Sequence, residues 1–414
     1  MSSRDSRLIQ KLSSKPTVRS RGYTKDTKNR VQLLYALPPL ALYVHVPWCI
    51  RRCPYCDFNS HSINGEIPEQ RYLQALRSDL EQSLPLIWGR QVVSIFIGGG
   101  TPSLLSGAAV DEMISMFRAY LNIWPETEIT LEANPGTIES GRFSKYARAG
   151  VNRLSLGVQS FNDKALTALG RIHDSSEAHK AIKAAKDDFD NVNLDIMYAL
   201  PNQTLDECKE DINIAVNYKT NHLSVYHLTL EPNTIFAKYP PKVPDDDLSA
   251  IMQDDIVCIL EDYGFDRYEV SAYAHDGNRS IHNMNYWEFG DYLGIGPGAH
   301  SKLSFPDKVI RQVRSRNPDL WMSKAVLNNS SHIASEEVIE ADSFPFEFML
   351  NVLRLRDGVP KQYYYERTGQ PLSSIQGTMD KNIEKGLIAN DPMRIKATDL
   401  GWRFLNNLQM DFLS

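Results

Sequence analysis

Between residues 41 and 228, six short apolar runs alternate with stretches of helical periodicity. The runs are ALYVHV (41–46), VVSIFI (92–97), EITLEA (128–133), VNRLSLGV (151–158), DNVNLDIM (190–197) and HLSVYHL (222–228). Amphipathic patterns lie between them at 69–84, 106–121, 138–149, 174–187 and 205–218, and another follows at 246–263. Repeats of strand, helix and strand at this spacing imply parallel strands with right-handed crossovers. Strands so uniformly apolar are buried on both faces, as in an α/β protein. Periodicity alone leaves two arrangements open, a partly closed barrel of six units and an open doubly wound sheet. In both, ligands gather at the C-terminal ends of the strands.

The remaining chain reads as three further parts. Residues 1–37 form a polar N-terminal extension, basic and rich in Ser and Thr, without the apolar stretch of a secretory signal. The barrel-like part spans 38–265, and 266–335 reads as a linking segment of ordered loop around RSIHNMNYWEFGDYLGIGPGAHS. From 336 to 414 the texture is mostly helical. FEFMLNVLRL (346–355) and SIQGTMDKNIEKGLI (374–388) precede a strand-turn-strand in LIANDPMRIKAT and a last helix near 399–411. That order is winged-helix-like, an arrangement shared with DNA readers. No dense basic face accompanies it and the net charge is -6, so no nucleic-acid partner is expected. No run approaches the eighteen apolar residues of a spanning helix, which leaves peripheral contact as the compatible membrane association.

Five cysteines in 414 residues make no disulfide framework and fit a reducing, cytoplasmic setting. Cys208 and Cys258 stand alone and read as buried small apolar residues. Cys49, Cys53 and Cys56 form a C-x3-C-x2-C loop directly after the first strand. Three thiolates on one loop can hold three irons of a [4Fe–4S] cluster, leaving the fourth iron open to an outside ligand. Arg51 and Arg52 would offset the cluster's negative charge. A zinc site completed by His45 or His61 is the alternative. Other candidates fall on the same rim. Gly98-Gly99-Gly100-Thr101 ends the second run, where glycines admit close backbone approach to a ligand. Glu132 closes the third run, where a carboxylate needs a cation, either an amine ligand or an internal salt bridge. Gln159 follows the fourth, Arg171 lies shortly beyond it, and Asp195 sits within the fifth.

YVHVPWCIRRCPYCDFNS, together with these rim residues, resembles the radical S-adenosylmethionine (SAM) proteins, in the branch related to anaerobic coproporphyrinogen III dehydrogenase. The resemblance implies a partial (β/α)6 barrel. It also implies an open cluster iron that chelates the methionine part of SAM, and reductive cleavage of the sulfonium to a 5′-deoxyadenosyl radical. It places the methionine amino and carboxylate groups on Gly99, Gly100 and Thr101. Gln159, Arg171 and Asp195 would hold the carboxylate and ribose hydroxyls, with Tyr43 and Tyr55 flanking the cofactor.

Within that family, His282-Asn283-Met284-Asn285-Tyr286-Trp287 resembles the H-N-x-x-Y-W motif of a heme chaperone branch. FIGGGTPSLLS, LEANPGT, GVQSF, LGRIH, YHLTLEPNT, FGDYLGIGPGAHS and FPFEFMLNVLRL extend the likeness over nearly everything after residue 38. It implies heme binding and delivery to heme-requiring proteins, respiratory enzymes among them; a homodimer is compatible with it. Heme needs an axial ligand, an apolar floor and cations for its propionates. His282, or His300, would be the ligand, Tyr286 and Trp287 the floor, and Arg311, Arg314 and Arg316 the cations. Two other functions stay open on sequence. One is a coproporphyrinogen III dehydrogenase that decarboxylates propionate side chains; the other is a regulator using the cluster as a redox sensor.

Overall fold

The computed structural model describes residue 34 and residues 36–63, 65–135 and 140–413. The opening segment to residue 33 and the first two residues expected of the 138–149 helix lie outside the described residues. All six expected strands form: β1 (Leu40–Val46), β2 (Gln91–Gly99), β3 (Asn122–Ala133), β4 (Arg153–Gln159), β5 (Val192–Tyr198) and β6 (His222–His227). Each runs parallel to the next. Helices α1 (Glu69–Ser83), α2 (Gly107–Tyr120), α3 (Ser140–Ala149), α4 (Ser175–Asp188) and α5 (Leu205–Asn217) make the crossovers, and α6 (Asp246–Asp262) follows β6.

Local chemistry sets the helix starts. The Ser106 side chain accepts the Ala109 N–H, while Asp174 with Glu177 and Thr204 with Glu207 form reciprocal capping boxes. Alternation then sorts each strand. Leu40, Leu42, Val44 and Val46 of β1 are buried with the helices in one large core. Ala41, Tyr43 and His45 face the opposite way, into the barrel.

Residues 266–335, read from sequence as linking loop, instead supply six strands. These are β7 (Asp266–Arg267), β8 (Ala272–Ala274), β9 (Asp291–Ile295), β10 (His300–Phe305), β11 (Lys308–Arg314) and β12 (Ile333–Val338). The sheet order is β12-β11-β10-β9-β1-β2-β3-β4-β5-β6-β8-β7. β9 lies parallel to β1, and antiparallel strands extend both edges, so the barrel stays partial. β7, β8 and β9 are short, β10 (HSKLSF) and β11 (KVIRQVR) interleave polar residues, and β12 is mostly exposed, so they lack the apolar runs that announce the first six.

Helix α7 (Ile281–Trp287) lies within this segment and packs on β1, β2 and β9. Glu128 of β3 holds its start, accepting from Ile281 N at 3.1 Å and His282 N at 3.0 Å. A buried carboxylate joins the added strands to the barrel wall. Asp79 of α1 is 0 % exposed and accepts from Arg314 Nη2 (3.3 Å), His332 Nε2 (3.0 Å), Gly296 N (3.1 Å) and Trp321 Nε1 (3.2 Å). Trp321 sits on α8 (Pro318–Ala325), which packs on α1.

The C-terminal part comprises α9 (Phe344–Val352), α10 (Gln362–Thr368), α11 (Ser373–Glu384), α12 (Asp399–Arg403) and α13 (Leu405–Met410). Val359–Pro360 pairs with Arg394–Ile395, and Ile388 bridges to Ala397, giving the winged-helix-like order. Phe344, Phe348, Val352, Met379 and Leu408 form its core, against which Met284 and Trp287 of α7 pack. The last helix, expected as one, breaks at Phe404, where φ is -112 and ψ is 35.

Candidate cofactor site

The C-terminal ends of β1 to β5 converge on a cavity of about 340 Å³. Cys49, Cys53, Cys56, Tyr55, Gly99, Gly100, Thr101, Glu132, Gln159, Arg171 and Asp195 all line it. The cysteine loop is tied at its base and along its length. Pro47 ends β1, and Trp48–Cys49 pairs in parallel with His61–Ser62. The Cys56 N–H donates to the Cys53 carbonyl at 3.2 Å. Thr101 Oγ1 donates to Cys49 Sγ at 3.4 Å, and Arg171 Nη1 approaches Cys53 Sγ at 3.7 Å. Arg51 and Arg52 donate to the Arg171 and Cys56 carbonyls at 2.9 and 3.1 Å.

The glycine turn has a packing reason as well as a binding one. Gly99 has φ +113, and a Cβ there would meet the His45 ring at 2.7 Å; a Cβ on Gly100 would meet the Trp48 carbonyl oxygen at 2.6 Å. The turn therefore seats the cysteine loop directly on β2. The Gly99 N–H donates to Glu132 Oε2 at 3.1 Å, which fixes one oxygen of that carboxylate on the cavity wall.

The wall divides by charge. Burial, then the nearby Asp195 carboxylate, push Glu132 up to about 8. Burial also raises Asp195, opposed by hydrogen bonds from Asn193 and Ser155. An ammonium or sulfonium would relieve both. Arg171 donates through Nη2 to Asn134 Oδ1 (2.9 Å) and the Gly157 carbonyl (2.8 Å), while its buried Nε has no partner among the described residues. Gln159 is held at φ 69, a left-handed conformation that costs energy for a residue with a side chain and is common at ligand sites. Burial raises the Cys49 and Cys56 thiols, and the Thr101 hydroxyl pulls Cys49 back. Loading a metal there releases protons.

These donors suit an iron–sulfur cluster. Soft thiolates favour such clusters, and both cation-seeking and anion-seeking groups stand beside them. Of the two histidines open to the zinc alternative, His45 has its ring nitrogens engaged by Tyr43 Oη (3.1 Å) and the Asn59 carbonyl (2.9 Å), and His61 Nε2 lies 3.3 Å from Asn59 Oδ1. Among the described residues no group of three or more His, Cys, Asp or Glu side chains is gathered for a single metal ion.

The remaining sequence candidates are scattered through the fold. Tyr43 is not among the residues around the cavity; its ring stacks on Phe96 inside the barrel, centroids 6.3 Å apart, within electrostatic reach of Glu132. Cys258 is exposed, whereas Cys208 is buried. Arg314 is spent on Asp79, Arg311 pairs with Glu347, and Arg316 lies by Asn59. The three do not form a propionate cradle beside α7. His282 is remote from the cavity, plugging the barrel floor against Phe96 (5.0 Å) with Nδ1 at 3.1 Å from Ser94 Oγ. Tyr286 rests on Tyr292, and Trp287 is covered by the Arg354 guanidinium at 4.3 Å, so they do not present one flat floor. Sequence reasoning also passed over Tyr226, Ser155 and Asn134, which line the cavity. The available signal was polar side chains at alternate positions of an apolar strand: His222, Ser224 and Tyr226 in β6.

A partial parallel barrel with three thiols on the loop after its first strand defines a radical SAM protein. The description "Radical SAM superfamily" matches residues 43–215, and "HemN C-terminal domain" matches 339–404. The coproporphyrinogen III oxidase HemN of Escherichia coli, described as a radical SAM enzyme, has the same fold. Its TM-score is 0.77 at 21% identity, over 91% of both chains. "Heme chaperone HemW" of Escherichia coli is 44% identical over 91% of this chain and 99% of its own. The proteins of that name from Haemophilus influenzae (43%, covering 91% and 99%) and Bacillus subtilis (33%, covering 87% and 95%) are also similar. The chain belongs to the HemW family.

Proposed function

We propose that this protein is a heme chaperone of the cytoplasm. It holds a [4Fe–4S] cluster on Cys49, Cys53 and Cys56, binds SAM at the remaining iron, and passes heme to heme-requiring proteins, respiratory enzymes among them. One observation carries the reading. A single cavity gathers the three thiols with the glycine turn, Glu132, Gln159, Arg171 and Asp195, in a chain similar over nine tenths of its length to proteins named heme chaperones.

When bound, the cluster and SAM supply one-electron chemistry. The chain's own residues do the positioning. Glu132 takes the amino group beside the Gly99–Thr101 turn. Gln159 and Arg171 take the carboxylate, Asp195 takes the ribose hydroxyls, and Tyr55 packs alongside. His282 is the proposed heme ligand. Burial lowers it to about 3, so its imidazole is neutral, and Nε2 has no hydrogen-bond partner among the described residues.

Nucleic-acid binding by the C-terminal domain is poorly supported. Arg354, Arg356 and Arg403 are each paired, with Glu269, Asp399 and Asp254. The direct test is anaerobic reconstitution followed by iron and sulfide analysis. Wild type is expected to carry a cluster, and replacement of all three cysteines by Ser to abolish it without unfolding the barrel. Full iron and sulfide in the triple variant would sink the assignment. Incubation with reductant, SAM and coproporphyrinogen III is expected to give no protoporphyrinogen; its appearance would favour the dehydrogenase.

A further inference from the structure

We propose that Asn193, His222 and Tyr268 are positioning residues that tie Asp195 in the cofactor cavity to the helix bearing His282, linking the two binding sites energetically. The inference rests on the reading above, in which the cavity takes SAM and α7 takes heme. A hydrogen-bonded chain runs through the barrel from one to the other. Asp195 accepts from Ser155 Oγ at 3.0 Å and from Asn193 Nδ2 at 2.9 Å. Asn193 Oδ1 meets His222 Nδ1 at 2.6 Å, across paired positions of β5 and β6. His222 Nε2 meets Tyr268 Oη at 2.8 Å. Tyr268 Oη accepts from Ser280 N at 3.4 Å, and Ser280 Oγ donates to Glu128 at 3.4 Å. Ser280 caps α7, and Glu128 holds its first two N–H groups.

The chain has one polarity. A carboxylate only accepts, so Asn193 turns its amide nitrogen toward Asp195 and its oxygen toward His222. That oxygen requires a donor, which fixes the His222 proton on Nδ1. Nε2 then accepts from the Tyr268 hydroxyl, and the Tyr268 oxygen is left to receive the Ser280 N–H. Asn193, His222 and Tyr268 are at most 1 % exposed, so water does not compete for these bonds. A ribose hydroxyl donated to Asp195 shares the carboxylate's negative charge with Asn193 Nδ2 and weakens that hold. Each later link must adjust, down to the start of α7. The far end of α7 is anchored in the C-terminal core through Met284 and Trp287, so a shift at its start is not lost in a loose loop.

The test is a hemin titration of the reconstituted full chain, followed by Soret absorbance with and without saturating SAM. Wild type is expected to show at least about a fivefold change in heme dissociation constant, with a reciprocal effect of heme on SAM. Tyr268→Phe is expected to bring the factor near one while both ligands still bind. His222→Leu gives the same loss. His222→Gln, whose amide can donate to Asn193 and accept from Tyr268, keeps the coupling. Heme uptake by wild type with a factor near one overturns the inference alone. So does undiminished coupling in Tyr268→Phe, or a His222→Gln variant as uncoupled as His222→Leu. Wild type that takes up no heme overturns the functional reading as well.

Discussion

Glu132 shows how one side chain answers both to the fold and to the ligand. Its carboxylate is held by the Gly99 N–H, yet burial and Asp195 keep it near 8, so it is mostly protonated at neutral pH in the free protein. The sign for stability follows from linkage. The folded value lies above the unfolded one, so ionisation disfavours the fold as pH rises from about 4 toward 8. Binding has the opposite slope, because an amino group that donates to this carboxylate wants the ionised form. SAM affinity is therefore expected to rise by up to about tenfold per pH unit between about pH 6 and 8, with proton release. Calorimetry in buffers of different ionisation enthalpy measures that release. Glu132→Gln should flatten the profile; an equally steep profile in that variant would assign the proton to another group. Glu132 was legible in sequence as a charge at the end of an apolar strand. For Tyr43, the strand position announces which face the side chain takes but not its depth. Only Val44 separates Tyr43 from His45 in β1, and backbone geometry shows that the cavity begins above both.

At the scale of elements, the first six strands and their helices were readable because burial on both faces leaves apolar runs that little else produces. The six strands after residue 265 were not readable, since they are short or half polar and their pairing is decided by tertiary neighbours. Asp79 is the clearest case of information that is invisible locally. Inside an amphipathic helix it looks like any solvated acid, but in the fold it joins α1 to Arg314, His332 and Trp321. Burial pushes Asp79 up, and Arg314 and His332 more than offset this, leaving it below the usual carboxylate range. Its contribution is therefore complete above about pH 4 and drains away as pH falls through the lowered value. Asp79→Ala strands a buried guanidinium and is expected to cost about 3–5 kcal/mol in urea unfolding. Arg71→Ala, which breaks the exposed pair with Asp319, should cost less than about 1 kcal/mol. Equal losses in the two variants would show that the buried network is not what holds the added strands.

At the scale of the molecule, α7 stands between two bodies of structure. Its start is fastened to the barrel floor by Glu128, and its end packs into the core of the C-terminal domain. The H-N-x-x-Y-W motif was visible in sequence, but its residues go separate ways. His282 enters the barrel and Trp287 enters the neighbouring core, while Tyr286 stays at 38% exposure. This arrangement gives the cofactor end of the barrel a physical route to the helix proposed to bear heme, as a chaperone that both holds and releases its cargo requires. His282→Ala is expected to weaken hemin binding at least about tenfold, an effect of 1.4 kcal/mol or more, while SAM binding stays within about twofold; unchanged hemin affinity would move the ligand elsewhere. The most direct measurement of the whole account is heme hand-over. The reconstituted protein is loaded with hemin, mixed with an apo-hemoprotein from the respiratory chain, and re-isolated. The account predicts that the Soret band leaves this chain and appears, with restored activity, in the acceptor. Heme that never binds, or that binds and stays while free hemin serves the acceptor equally well, would contradict it.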